Sequence, residues 1–214
     1  MDERFEYAIF DMDGTLLDSM PYWRYVSLEY LILHKQPVPN ELLVRMYHTP
    51  AMKLLTEYSD QHALGWPRER IFAEIEELMN RHYLLDVRPK GSSPAYLSYL
   101  KEKGIRMCVA TTTSRLYAAN ALRRQGMDTY FSLIMDDATA PCSKKHAEYF
   151  RWLAQQLGTT PDRCVVFEDA YYSMCAAKEA GMRVVAIEDG SQEPDRAQIR
   201  ALADEYIQDY TQIM

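Results

Sequence analysis

From residue 94 to residue 187 the chain repeats one local pattern. Helix-like segments at Pro94–Lys103, Leu116–Gln125, Lys144–Leu157 and Tyr171–Ala180 are each followed at once by a glycine: Gly104, Gly126, Gly158 and Gly181. Glycine just past a helix end supplies the left-handed conformation that stops it. Short runs rich in Val, Ile, Met and Phe alternate with these helices at Ile105–Ala110, Ser132–Met135, Arg163–Phe167 and Arg183–Ile187, and a fifth lies at Tyr7–Phe10. Near-continuous apolar runs suit strands covered on both faces. The cadence therefore predicts an α/β, doubly wound parallel sheet.

Residues 18–86 break that cadence. They carry helical periodicity over Tyr22–Leu33, Glu41–Tyr58 and Glu69–Tyr83, with Pro37, Pro39, Pro50 and Pro67 as breaks. A structureless loop of that length is improbable inside a compact domain, so the stretch predicts a small helical insert placed where the first strand ends. The expected division is a core of 1–17 and 87–214 with an insert of 18–86. Beyond Ile187 the pattern predicts a helix around Asp195–Ala203 and an edge strand.

Charge and cysteine usage narrow the partners. With 31 acidic and 24 basic side chains the formal charge is -7, a field that repels nucleic acid and anionic membrane and obliges an anionic ligand to find a local positive site. Cys108, Cys142, Cys164 and Cys175 form no CxxC pair, which argues against a zinc site or a disulfide framework and for reduced thiols in a cytoplasmic setting. The amino end, MDERFEYAIF, is charged and runs straight into a strand pattern, unlike a signal peptide, and no apolar run approaches the roughly 20 residues that span a bilayer.

Open α/β sheets bind ligands beyond the carboxyl ends of their strands. Four such ends carry unusual residues. Asp11 and Asp13 stand two apart, followed by Gly14, which permits a sharp turn, and Thr15. A turn in which the aspartates cap backbone amides is an alternative. A calcium loop is another, although its twelfth position is Tyr22 rather than Glu. Thr111, Thr112, Thr113 and Ser114 lead from a strand into a helix start and offer hydroxyls and amides to an anion, or simply an N-cap. Ser143-Lys144-Lys145 opens the third expected helix, where lysine opposes the helix dipole; a ligand role and a solvated pair both fit. Glu168 and Asp169 close the fourth run. Together with Asp11 and Asp13 they would put four carboxylates in one crevice, which calls for a compensating cation, and oxygen-only ligands suit Mg²⁺.

These segments resemble the four ordered motifs of the haloacid dehalogenase (HAD) superfamily: DMDGT at Asp11–Thr15, VATTTS around Thr111, Lys144 fourteen residues before Gly158, and VVFEDAYYSMCAAKEAGM at Val165–Met182. The insert resembles the helical, C1-type cap found with a Rossmann-like core in the phosphoglycolate phosphatase and β-phosphoglucomutase group. The resemblance implies a Mg²⁺-dependent phosphatase in which Asp11 attacks phosphorus to form an aspartyl phosphate and Asp13 serves as general acid and then base. It implies that Asp11, the Asp13 carbonyl and Asp169 hold Mg²⁺, with Glu168 acting directly or through water, and that Thr111, Thr112 and Lys144 bind the phosphoryl group. Dehalogenases of the family lack an aspartate at the position of Asp13.

Departures keep other readings in view. Related sugar phosphomutases carry a histidine and a Gly-x-Ser-Arg stretch where this chain has Trp23 and His48-Thr49-Pro50. Lys145-His146-Ala147-Glu148 replaces a common Pro-x-Pro-Asp, which leaves Lys144 and Lys145 as alternatives for the phosphate contact. A phosphomutase and a catalytically silent binding protein are the competing functions. Expected partners are a small phosphorylated metabolite, with no nucleic acid and no membrane, for a monomer or small homo-oligomer. Asp18 and Ser19 are expected to cap the first helix, Thr15 to brace the turn, and Tyr22, Trp23 and Tyr47 to line a substrate pocket or fill the insert's own core.

Overall fold

A computed structural model describes residues 5–214. They divide into two compact units, one made of the segment ending at Asp18 together with Arg88–Met214, the other of Ser19–Val87.

The first unit is built on a six-stranded sheet in the order β3-β2-β1-β4-β5-β6, every pair parallel. Its strands are β1 (Tyr7–Phe10), β2 (Arg106–Thr111), β3 (Phe131–Asp136), β4 (Cys164–Glu168), β5 (Arg183–Ile187) and the short edge strand β6 (Glu205–Ile207). The order places β1 at the centre, with β2 on one side and β4 on the other. This is the switch point of a doubly wound sheet, and all three strands end there in the residues that carry chemistry. Helices α5 (Ser93–Glu102), α6 (Arg115–Arg124), α7 (Ala147–Gln156), α8 (Tyr171–Glu179) and α9 (Arg196–Leu202) connect the strands. One face buries Ile9, Cys108, Val166 and Val184 under Phe150, Leu153 and Met174. On the other, Phe10 stacks on Phe167 at 4.4 Å, beside Tyr96 and Tyr210.

The second unit contains α1 (Met20–Leu33), α2 (Asn40–Arg45), α3 (Ala51–Gln61) and α4 (Arg68–Leu85). Ile71, Ile75, Leu78, Met79 and Tyr83 form the buried stripe of α4 at helical spacing and meet Val26, Tyr30 and Leu31 of α1 and Leu54, Leu55 and Tyr58 of α3. Each fully buried aliphatic side chain contributes about 1.5–3 kcal/mol.

Three expectations need correction. The single periodic run Glu41–Tyr58 is two helices, because residues 46–50 turn and Pro50 takes the extended conformation that starts α3. Pro39 and Pro67 precede α2 and α4 in the same way, so these prolines mark helix beginnings. The third core helix starts at Ala147 rather than Lys144. Ser19 occupies the position before α1, but its side chain makes no capping bond, and Asp18 Oδ1 lies instead 3.8 Å from Lys90 Nζ.

Candidate active site

At the end of β1 the chain makes a closed turn. Leu16 and Leu17 N–H both donate to the Met12 carbonyl, Gly14 N–H donates to the Leu17 carbonyl, and Gly14 takes φ +84°. A Cβ at Gly14 would lie 2.6 Å from Asp169 Oδ2, so the absence of a side chain there is what lets the β1 turn approach the end of β4. Thr15 braces across the same gap: its hydroxyl donates to Asp169 Oδ1 at 3.0 Å, and its carbonyl accepts from the buried Tyr210 hydroxyl at 3.1 Å.

Asp11, Glu168 and Asp169 are all buried, and each offers an oxygen within 4.8 Å of the others. Lys144 is brought into this group although it lies in the turn before α7. Asp137 holds that turn by accepting from the Ser143 hydroxyl at 2.7 Å and from Lys144 N–H at 3.2 Å, so the backbone there is committed outside the helix. The Lys144 ammonium donates to Asp11 Oδ1 at 2.5 Å and to the Ala110 carbonyl at 2.9 Å, and forms an ion pair with Glu168 Oε2 at 2.9 Å. The other Glu168 oxygen accepts from Asp169 and Ala170 N–H. Lys145 is exposed, so of the two lysines only Lys144 enters the cluster.

Burial and mutual repulsion act on the carboxylates of this cluster. Burial, then the Glu168 charge, push the Asp11 carboxyl well above its usual range, with Lys144 pulling it back and Asp13 adding to the rise. Asp169 is raised by burial and by Glu168, Asp11 and Asp189, against the Thr15 hydrogen bond. Burial works to lower the Lys144 ammonium, but Asp11 and Glu168 outweigh it and hold it charged. Three ionised carboxylates beside one ammonium leave two negative charges unbalanced, which a divalent cation with hard oxygen ligands would match.

Asp13 does not join that cluster through its side chain. Its half-buried carboxylate accepts from the Thr113 hydroxyl through Oδ2 at 2.7 Å, while its charge still acts on Asp11, so it stands beside the three mutually close carboxylates. Thr111 is buried at the end of β2 and its oxygen accepts from Thr113 N–H at 3.1 Å, which leaves its own proton to donate outwards; Thr112 is exposed. The sequence pattern offers Thr113 to an anion or an N-cap rather than to Asp13, and assigns no role to Asp136 or Asp137. Asp136 accepts from Arg115 N–H at the start of α6 at 2.8 Å and from Thr139; burial raises its carboxyl, but these hydrogen bonds win and lower it. The signal was present, since this acidic pair also directly ends an apolar run.

The profile of haloacid dehalogenase-like hydrolases matches residues 8–187. The chain belongs to that family. It is 30% identical over 190 residues to a phosphoglycolate phosphatase of Neisseria meningitidis, covering 86% of this chain and 81% of that protein. It is 27% identical to a fructose-1-phosphate phosphatase of Escherichia coli, covering 87% of this chain and 98% of the relative. Among solved structures, CbbY of Rhodobacter sphaeroides in complex with phosphate superposes with a TM-score of 0.79 at 20% identity, covering 98% of this chain and 96% of that one, a likeness of fold. For a haloacid dehalogenase-like hydrolase, the chemistry-bearing residues sit where Rossmann-like sheets hold ligands, outside the carboxyl ends of the central strands.

Proposed function

We propose that this protein is a Mg²⁺-dependent phosphatase that hydrolyses a small phosphomonoester, such as a sugar phosphate or phosphoglycolate, through an aspartyl phosphate on Asp11. The observation that carries this reading is the Lys144 ammonium 2.5 Å from a buried Asp11 carboxylate that has two further carboxylates beside it. A carboxylate approaches a phosphate dianion against like-charge repulsion, and the ammonium that already contacts Asp11 reduces that repulsion. Asp11, Glu168 and Asp169, with the Asp13 carbonyl, would hold Mg²⁺, which when bound neutralises charge on the phosphoryl oxygens.

In this reading the Thr111 hydroxyl and the amide of Thr112 supply preplaced donors to those oxygens. Asp13 protonates the departing alcohol oxygen and later takes the proton of the water that attacks the aspartyl phosphate. The Thr113 hydroxyl, 2.7 Å from Asp13 Oδ2, fixes the orientation of that carboxylate for both transfers. The phosphatase relatives favour hydrolysis over phosphomutation.

The test is phosphate release from a panel of phosphomonoesters with Mg²⁺ or EDTA, comparing the native chain with Asp11→Asn. Release by the native chain alone, abolished by EDTA, is expected. Equal release by both proteins would overturn the assignment of Asp11, and isomerisation of a sugar 1-phosphate without net phosphate release would move the reading to a phosphomutase.

A further inference from the structure

The cation that serves the acidic centre is buried within it. The Lys144 ammonium donates to Asp11 and to the Ala110 carbonyl and is ion-paired with Glu168, all within the buried centre. The next residue is placed quite differently. The Lys145 side chain turns outwards, and its Nζ lies 5.5 Å from the centre of the Tyr172 ring. Among the described residues no carboxylate lies within ion-pair distance of it, unlike Lys144 beside it, which is paired with Asp11 and Glu168. Tyr172 is in the first turn of α8, three residues after Asp169, and is 43% exposed. That turn follows directly on the β4 end that carries Glu168 and Asp169, as Lys145 follows directly on Lys144. An aromatic ring thus holds an uncommitted ammonium at the rim of a negative centre, in a chain whose overall charge is -7.

We propose that Lys145 and Tyr172 form a second recognition element that selects phosphomonoesters whose alcohol part carries a further anion, either a carboxylate or a second phosphate. This rests on the phosphatase reading above, in which the reacting phosphoryl group sits at Asp11 and uses Lys144. The remainder of the substrate extends away from the buried cluster, on the side where the exposed Lys145 follows Lys144 in the chain and lies over Tyr172. A neutral polyol gains nothing from that ammonium. An anionic tail gains a charge-assisted contact, and the Tyr172 ring limits the conformations the lysine must give up to make it.

The experiment compares three substrates of similar size: glycerol 3-phosphate with a neutral tail, 3-phosphoglycerate with a carboxylate, and 1,3-propanediol bisphosphate with a second phosphate. Lys145→Gln and Tyr172→Ala should raise KM for at least one anion-tailed substrate about fivefold, with kcat little changed and glycerol 3-phosphate unaffected. The size of the effect on each of the two anionic substrates tells carboxylate from phosphate. Tyr172→Phe, which keeps the ring, should retain most of the preference, and added salt should erode it in the native chain. An equal loss on all three substrates, or none on either anionic one, overturns the proposal. Phosphate release from none of the three by the native chain would overturn the phosphatase reading instead. Calorimetric affinities for the same compounds then decide the present proposal, and equal affinity of the native chain and Lys145→Gln for both anion-tailed compounds refutes it.

Discussion

Replacing Gly14 by alanine is the most informative single change, because its cost separates into two parts that can be measured apart. The first is the backbone: φ is +84°, and an L-residue in that region costs roughly 1–2 kcal/mol. The second is steric. The added Cβ would lie 2.6 Å from Asp169 Oδ2 and 2.8 Å from its Cγ, against 3.4 Å for ordinary contact. The carboxylate must therefore retreat by the better part of an ångström and give up the 3.0 Å hydrogen bond from Thr15, and leaving that buried hydroxyl without its acceptor costs about 1–2 kcal/mol. Together the loss should be about 2–4 kcal/mol in urea denaturation at pH 7.5 with EDTA. In an Asp169→Ala background the obstacle is gone, and Gly14→Ala should cost only the backbone part, a coupling of about 1–2 kcal/mol in the double-mutant cycle. The single variant should also need at least about tenfold more Mg²⁺ for half-maximal stabilisation, since a residue that orients a ligand has been disturbed. Equal losses in both backgrounds, or an unchanged Mg²⁺ requirement, would refute the account of Gly14 as the gap that admits Asp169.

Two further outcomes follow from the charge arrangement. Lys144→Met removes the ammonium from a buried pair and should lower stability by about 3–5 kcal/mol at pH 8 in EDTA. Because Asp11 is already raised, its protonated form stabilises the fold below that raised value and the contribution is lost as pH rises through it, so the variant should recover towards pH 5; a loss independent of pH would contradict this. In the helical unit, His82 bridges Glu29 at 2.6 Å and Asp86 at 2.7 Å; burial opposes its charge, but these two hydrogen bonds win and raise it above 6.5. Its contribution is therefore full below pH 6.5 and lost as pH rises through the raised value, so thermal midpoints should fall over that range in the native chain and less in His82→Gln.

The parts of the fold that were legible in the sequence are those set by local pattern. Tyr7–Phe10 and Arg183–Ile187 are strands over the expected residues, and Gly104, Gly126, Gly158 and Gly181 all take positive φ behind their helices. Legibility fails where a distant partner overrides local preference. Lys144 reads as the first residue of a helix, but Asp137 captures its N–H and Asp11 its ammonium. Asp13 reads as one of a pair with Asp11, and its contact with the Thr113 hydroxyl across 100 residues of sequence could not be read from either segment alone. Tyr172 and Asp189 gave no signal, because their relevance depends on which strands are neighbours, and adjacency in a sheet is not written in the periodicity of any one strand.

The two segments that join the units run side by side within the sheet-bearing unit: Leu17 bridges Pro89, Asp18 N–H donates to the Arg88 carbonyl at 2.9 Å, and Lys90 N–H donates to the Leu16 carbonyl at 2.8 Å. The sixty-nine residues between them therefore leave and return at one point, and the chain on either side is already paired as in the arms of a hairpin. Closing that gap with a two-residue turn would add almost no loop-closure entropy and would leave every strand pairing and the Lys144 contacts in place. The length of the helical unit therefore does not enter the register of the sheet, because the two segments that carry it are already held to each other.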